Sequence, residues 1–275
     1  MDLLITNNLE SIKLSSRNIV TTNFDESSPS ITPNTLSFKG RNGKVNFGGD
    51  YGDKKLKFSG YLVASNQSDY EVKRDWLYQV LGGIEPYYIT PMYSDNGQYS
   101  FERPGQTSGN VIGQANEVAS FKRFYVTVDD VIEPSFVGNI NGQQIYKLEI
   151  TFITAGLPFG QSVDKTLTIT NSIPYAGTTK ASQLEVPFYV QLIANQTASG
   201  ISLTIGSRTW TYSGTVAVGD VFVLGGMYNT KNLLSINDYT NVEYFVLEPT
   251  PTGQIPVQCS IDATIIINNY KELYL

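Results

Sequence analysis

Four pairs of carboxylates stand close enough along the chain to invite acid–base chemistry: Asp25-Glu26, Asp50/Asp53, Asp129-Asp130 and Asp238/Glu243. A glycosidase needs two carboxyls facing each other about 5–9 Å apart, and closeness in sequence does not supply that. Asp129-Asp130 follows a strand pattern and precedes Val-Ile-Glu-Pro, which reads as turn chemistry. None of the pairs has the dense oxygen spacing of a calcium loop. The chain has no histidine and a single cysteine, Cys259. That excludes Ser-His-Asp and Cys-His nucleophiles, histidine-ligated metals, thiolate cages and an intrachain disulfide framework. We therefore expect no enzymatic activity, no cofactor and no metal.

Two further groups of residues have chemical potential. Residues 38–62 read FKGRNGKVNFGGDYGDKKLKFSGYL, a glycine-rich run beside lysines. A phosphate loop would need a following helix whose N-terminus complements the charge, but here a strand pattern follows. The glycines at 40, 43, 48, 49, 52 and 60 read instead as tight turns and close backbone approaches. Charge is more informative. From Phe38 to Arg74 there are eight basic and four acidic residues, a local +4 in a chain that totals −6. This is either a solvated edge with gatekeeping lysines or a face that meets an acidic patch on another subunit. Lys54, Lys55 and Lys57 are the candidate interface residues. Trp210, Tyr212, Tyr228 and Tyr244 form the second group, since aromatic rings can stack on sugars. Trp210 and Tyr212 are the candidate glycan-binding pair, although a hairpin that sets Trp210 opposite Leu203 favours a core role.

The elements that must position these residues are mostly strands. Phe124, Val126 and Val128 alternate with Arg123, Tyr125 and Thr127. Tyr146, Leu148, Ile150 and Phe152 repeat the pattern after an Asn141-Gly142 hairpin turn. KLKFSGYLV (55–63) is another strand. One helix is expected over 68–83, with Ser68 and Glu71 as a capping box and Gly82 as the stop. Its stripe is Val72, Trp76 and Val80 with Leu77 and Leu81, so Trp76 reads as core. In the second half, GISLTIGSRTWTYSG (200–214) makes a hairpin if Gly206-Ser207 is its turn. The register then pairs Ile201 with Tyr212, Leu203 with Trp210 and Ile205 with Arg208. Further strands are expected over 186–193, 220–225, 242–249 and 260–270.

Composition suits this reading. Tyrosine and phenylalanine number 18 and 13, and charged residues make up only 16%. A net charge of −6 offers no global attraction to nucleic acid or anionic membrane. The N-terminus lacks a basic region before its short apolar run, and no segment approaches the ~18 apolar residues of a membrane span. The expectation is a soluble chain made in a cytoplasm. Charges number 31 in residues 1–155 but 13 in residues 156–275, and the change falls at AGLPFGQS (155–162). We expect two domains, 1–157 and 158–275. The first is a β-sandwich with one helix and a β-hairpin, and the second an antiparallel β-sandwich.

The order of these pieces resembles the distal tail protein (Dit) family of long, non-contractile-tailed bacteriophages. The matching features are KGRNGKVNF (39–47), KLKFSGYLV, the helix with Arg-Asp-Trp-Leu-Tyr-Gln-Val-Leu, FKRFYVTVDDV and YKLEITFI. VPFYVQLI, ISLTIGSRTWTY, VGDVFVL and the ending NNYKELYL continue the match into the second half. Where family members often carry Gly-Arg-Asp-Gly, this chain has Gly40-Arg41-Asn42-Gly43. Residues 15–37 and 93–117 match nothing in the pattern. The resemblance implies a structural virion protein, assembled in the host cytoplasm and located at the tail tip. It implies a homo-hexameric ring, built from the N-terminal domain, that joins the tail tube to the baseplate. A galectin-like C-terminal domain would project to receive receptor-binding components. DNA would pass through the lumen without specific binding, so a strongly basic lining is unexpected and residues 38–57 should not be innermost. The alternatives are a β-sandwich that binds cell-wall glycan and another virion protein, such as a tube or fibre-adaptor subunit.

Overall fold

The structure is a computed structural model that describes residues 1–7, 10–94 and 117–275. Residues 95–116, most of the 93–117 stretch that carries none of the resembling features, lie outside the described residues. The chain divides into two compact units, Met1–Gly160 with Leu275, and Gln161–Tyr274. Both are mostly β.

In the first unit the strands are β1 (Asp2–Thr6), β2 (Ser11–Lys13), β3 (Ile19–Glu26), β4 (Ile31–Leu36), β5 (Val45–Tyr51) and β6 (Lys55–Ala64). The helix α1 (Gln67–Leu81) precedes β7 (Tyr87–Ser94), β8 (Glu117–Ala119), β9 (Phe124–Val128), β10 (Ser135–Ile140) and β11 (Gln143–Thr154). Among the described residues, a nine-stranded sheet runs β2-β1-β7-β9-β11-β6-β3, with β10 on β11 and β8 on β7. The predicted alternation is realised. Phe124 and Val126 are buried, as are Tyr146, Leu148, Ile150 and Phe152, because a pleated strand sends every second side chain inward. Asn141 and Gly142 adopt φ of 52° and 80°, both left-handed, and close the β10–β11 hairpin.

The helix departs from its sequence reading at its start, while Gly82 stops it as expected. Its cap is Asn66, whose Oδ1 accepts from the Asp69 N–H at 2.9 Å, while Asp69 Oδ2 accepts from the Ser65 N–H at 2.8 Å. The Asp69 carboxylate thus closes on Ser65, one residue before the cap, and both bonds lie upstream of Ser68 and Glu71. Gly82 ends the helix by donating to the Tyr78 carbonyl at 2.8 Å, in right-handed backbone. The apolar stripe is narrower than expected. Leu77 and Leu81 are buried and Val72 is exposed. Trp76 is only half-buried; it packs against the core while Arg17 lies over its ring at 5.4 Å.

In the second unit a six-stranded sheet packs on a four-stranded one. The 201–205/208–212 hairpin has the expected register, with Leu203 opposite Trp210, and Gly206 opens its turn at φ 60°. Trp210 is fully buried and meets Phe222 of the other sheet edge-on, with ring centroids 6.2 Å apart. The strand expected over 242–249 shrinks to Val246–Leu247. Val242 turns left-handed at φ 50°, and the Phe245 N–H donates to Gln183 Oε1 rather than to a neighbouring strand.

Candidate subunit interface

The glycine-rich run belongs to an arm, not to a loop. Strands β4 and β5 pair only with each other, Ile31 opposite Tyr51 and Leu36 opposite Val45, and the main sheet does not include them. Gly40 and Gly43, at φ 82° and 81°, turn the chain between them. At Gly49 a Cβ would lie 2.8 Å from the Thr32 carbonyl oxygen, so glycine is what lets the two strands approach. The signal was present in sequence as β-branched and aromatic residues on both sides of Gly40-Arg41-Asn42-Gly43. It was obscured because neither strand has a buried face to give it alternation. Every residue of β4 is exposed, and Phe47 in β5 is 65% exposed. An isolated two-stranded ribbon is marginally stable in water, so this arm lacks the burial that would normally hold it. At its root, Tyr51 packs edge-on against Phe159 with centroids 5.7 Å apart.

The three lysines expected together at the interface are separated by the pleat. Lys54 is 1% exposed and ion-paired to Glu26, with its ammonium 5.4 Å from the centre of the Phe124 ring. It shares strand parity with the buried Leu56 and Phe58, which is why it points inward. The reading of Lys54 as a surface charge is therefore corrected: within this chain it is an internal tie. Lys122 completes the cluster at 2.9 Å from Glu26. Burial pushes the Glu26 carboxyl up, but hydrogen bonds from Lys122 and Lys54 outweigh that and hold it below its ordinary value. Lys55 is exposed and paired to Asp129 at 2.6 Å, and Lys57 is exposed beside Asp25 in the sheet register.

The carboxylate pairs serve other purposes. Asp130 caps its own turn, accepting from the Val131 N–H at 2.7 Å, and Asp50 accepts from Asn34 at 3.1 Å. Glu243 is bound to Arg208 at 3.0 Å. Among the described residues no group of three or more Cys, Asp or Glu side chains is placed to hold a metal. Trp210 and Tyr212 do not form an exposed platform. Both are buried, stacked with centroids 6.4 Å apart, and the Trp210 indole N–H has no acceptor among the described residues.

Comparison with known proteins gives this surface its context. The family model for the phage tail protein RIFT-related domain matches residues 7–154, more than half of the chain. This chain belongs to that phage tail protein family. The resemblance drawn from the order of its elements thus holds, and the matched residues contain the whole β4–β5 arm. The tail protein also shares its fold with the SPP1 Dit (gp 19.1) protein, a paradigm of the hub adsorption apparatus in phages that infect Gram-positive bacteria. That match has a TM-score of 0.64 at 12% identity and covers 98% of both chains. Chains from the phage P2 baseplate in its activated conformation, with calcium and with strontium, match at TM-scores of 0.40 and 0.39. Each is 9% identical, with 98% of both chains covered. No curated protein sequence matches the tail protein.

Proposed function

We propose that this tail protein is a distal tail subunit, whose first unit closes into a homo-hexameric ring between the tail tube and the baseplate. The second unit, a galectin-like sandwich, projects to receive receptor-binding components at the tail tip of the virion. It performs no reaction and uses no cofactor; its work is to hold neighbours in place. One observation carries the reading: the β4–β5 arm, which lies within the family-matched residues, exposes leucine and phenylalanine without a core of its own. Such a ribbon gains its missing burial from another surface. Rings that close by rotation use unlike faces on each copy, so a protruding arm is a suitable donor face. Lys55 and Lys57 remain candidate contacts at the foot of this arm, whereas Lys54 anchors its root from within.

The test is mass in solution. Light scattering should give six times 30.4 kDa, for the chain alone or with its tail partners, and particle averages should show a ring. Single protomers under all these conditions would remove the proposal. Burial of Trp210 and Tyr212 leaves the glycan platform without its two rings, so no second reading is put forward.

A further inference from the structure

The tip of the arm has two properties together. Leu36, Phe38 and Phe47 are large, apolar and exposed there. Lys39, Arg41 and Lys44 surround them, and no acidic residue lies between Ser27 and Gly49. A site that matched this tip would be an apolar hollow with an acidic rim.

The first unit has such a place among its described residues. The end of α1 and the segment after β9 border an open cleft of about 620 Å³, lined by Tyr78, Ile84, Val128, Val131 and Ile132. Ile84 is 92% exposed and Val131 is 80% exposed, an unusual pairing for side chains that could turn inward. Asp130 lines the cleft, and Glu85 and Glu133 directly follow the lining residues Ile84 and Ile132. All three are exposed, and none makes an ion pair among the described residues. The nearby cations are already engaged: Arg74 with Asp75 at 2.8 Å and Lys55 with Asp129 at 2.6 Å. Three negative charges without an ion pair among the described residues thus stand at or beside an apolar cleft, opposite in sign to the three positive charges of the arm tip.

We propose that the arm tip of one copy seats in this cleft of the next copy, with Phe47 and Phe38 against Ile84 and Val131. Lys39, Arg41 and Lys44 then face Glu85, Asp130 and Glu133. The occupant is a second copy of this chain, and charge complementarity is the argument for it. The contact is heterologous, arm to cleft, as a closed ring requires. At roughly 3.3 Å per residue, the paired strands carry the tip about 20 Å from its root, enough to cross a subunit boundary.

This inference rests on the ring reading, and cysteine pairing separates the two. In a Cys259→Ser background, copies carrying only Phe47→Cys are co-expressed with copies carrying only Ile84→Cys and then oxidised. A mixed disulfide dimer is expected, because neither copy can form that bond within itself. Phe47→Cys with Val218→Cys, on the other unit, is the control and should give no such band. Reversing Lys39, Arg41 and Lys44 to Glu should weaken assembly roughly tenfold or more at low salt, and Glu85→Lys with Glu133→Lys should restore it. A six-fold mass without the mixed dimer, or without charge rescue, overturns the arm–cleft contact and leaves the ring standing. Monomers throughout, with no cross-link, overturn both.

Discussion

Lys54 and Trp210 show how one residue changes meaning once its neighbours are known. Both had surface roles available by type, a cation for an acidic partner and an indole for a sugar. Both are buried instead, and their partners are internal. Lys54 could have been placed by parity, since positions 54, 56 and 58 face the same way in an extended chain. Trp210 was placed by its hairpin, because Leu203 opposite it lies on the inner face. The expected cost of Trp210→Ala is about 3–5 kcal/mol, measured by chemical denaturation, since it empties the largest buried side chain of the second unit. Trp210→Phe should cost less, because it also removes a buried N–H that has no acceptor. Full stability of the alanine variant with loss of glycan binding would return the aromatic pair to a ligand role.

At the scale of elements, the strands with one buried face and the helix stop at Gly82 were legible, and the helix start was not. Periodicity of two identifies β6, β9 and β11 because one face of each is buried and one is not. Capping depends on which of several polar residues enters the extended backbone before the first turn. Ser65, Asn66 and Ser68 all qualify by type, and only the folded backbone selects among them. Asn66→Ala should therefore destabilise the first unit by roughly 1 kcal/mol, while Ser68→Ala should change it by only a few tenths. Equal effects at the two positions, read from denaturation midpoints, would contradict the cap seen here. The β4–β5 arm escaped the same periodicity argument because a ribbon exposed on both faces has no alternation to display.

For the whole molecule, the two compact units imply a division of labour. The family match, the arm and the cleft all lie in the first unit. If the ring is made by that unit, a chain of residues 1–160 should still assemble to a six-fold mass, lighter in proportion. A truncated chain that folds but stays single, while the full chain assembles, would shift the ring contacts to the second unit. The truncation also removes Leu275, which belongs with the first unit, so a chain lacking only Leu275 is the matching control.

By itself the sequence determined the β class, the strands with a single buried face, both tight hairpin turns and the lack of histidine chemistry. These depend on residue type and on the two-residue pleat, which are local properties. Tertiary structure alone decided that Lys54 is tied to Glu26 beside Lys122, and that an apolar cleft with acidic neighbours exists beside α1. Those facts are distances between segments far apart in the chain. Residues 84 and 131 meet at the cleft, and residues 26, 54 and 122 at the buried tie, only because the fold brings these segments together.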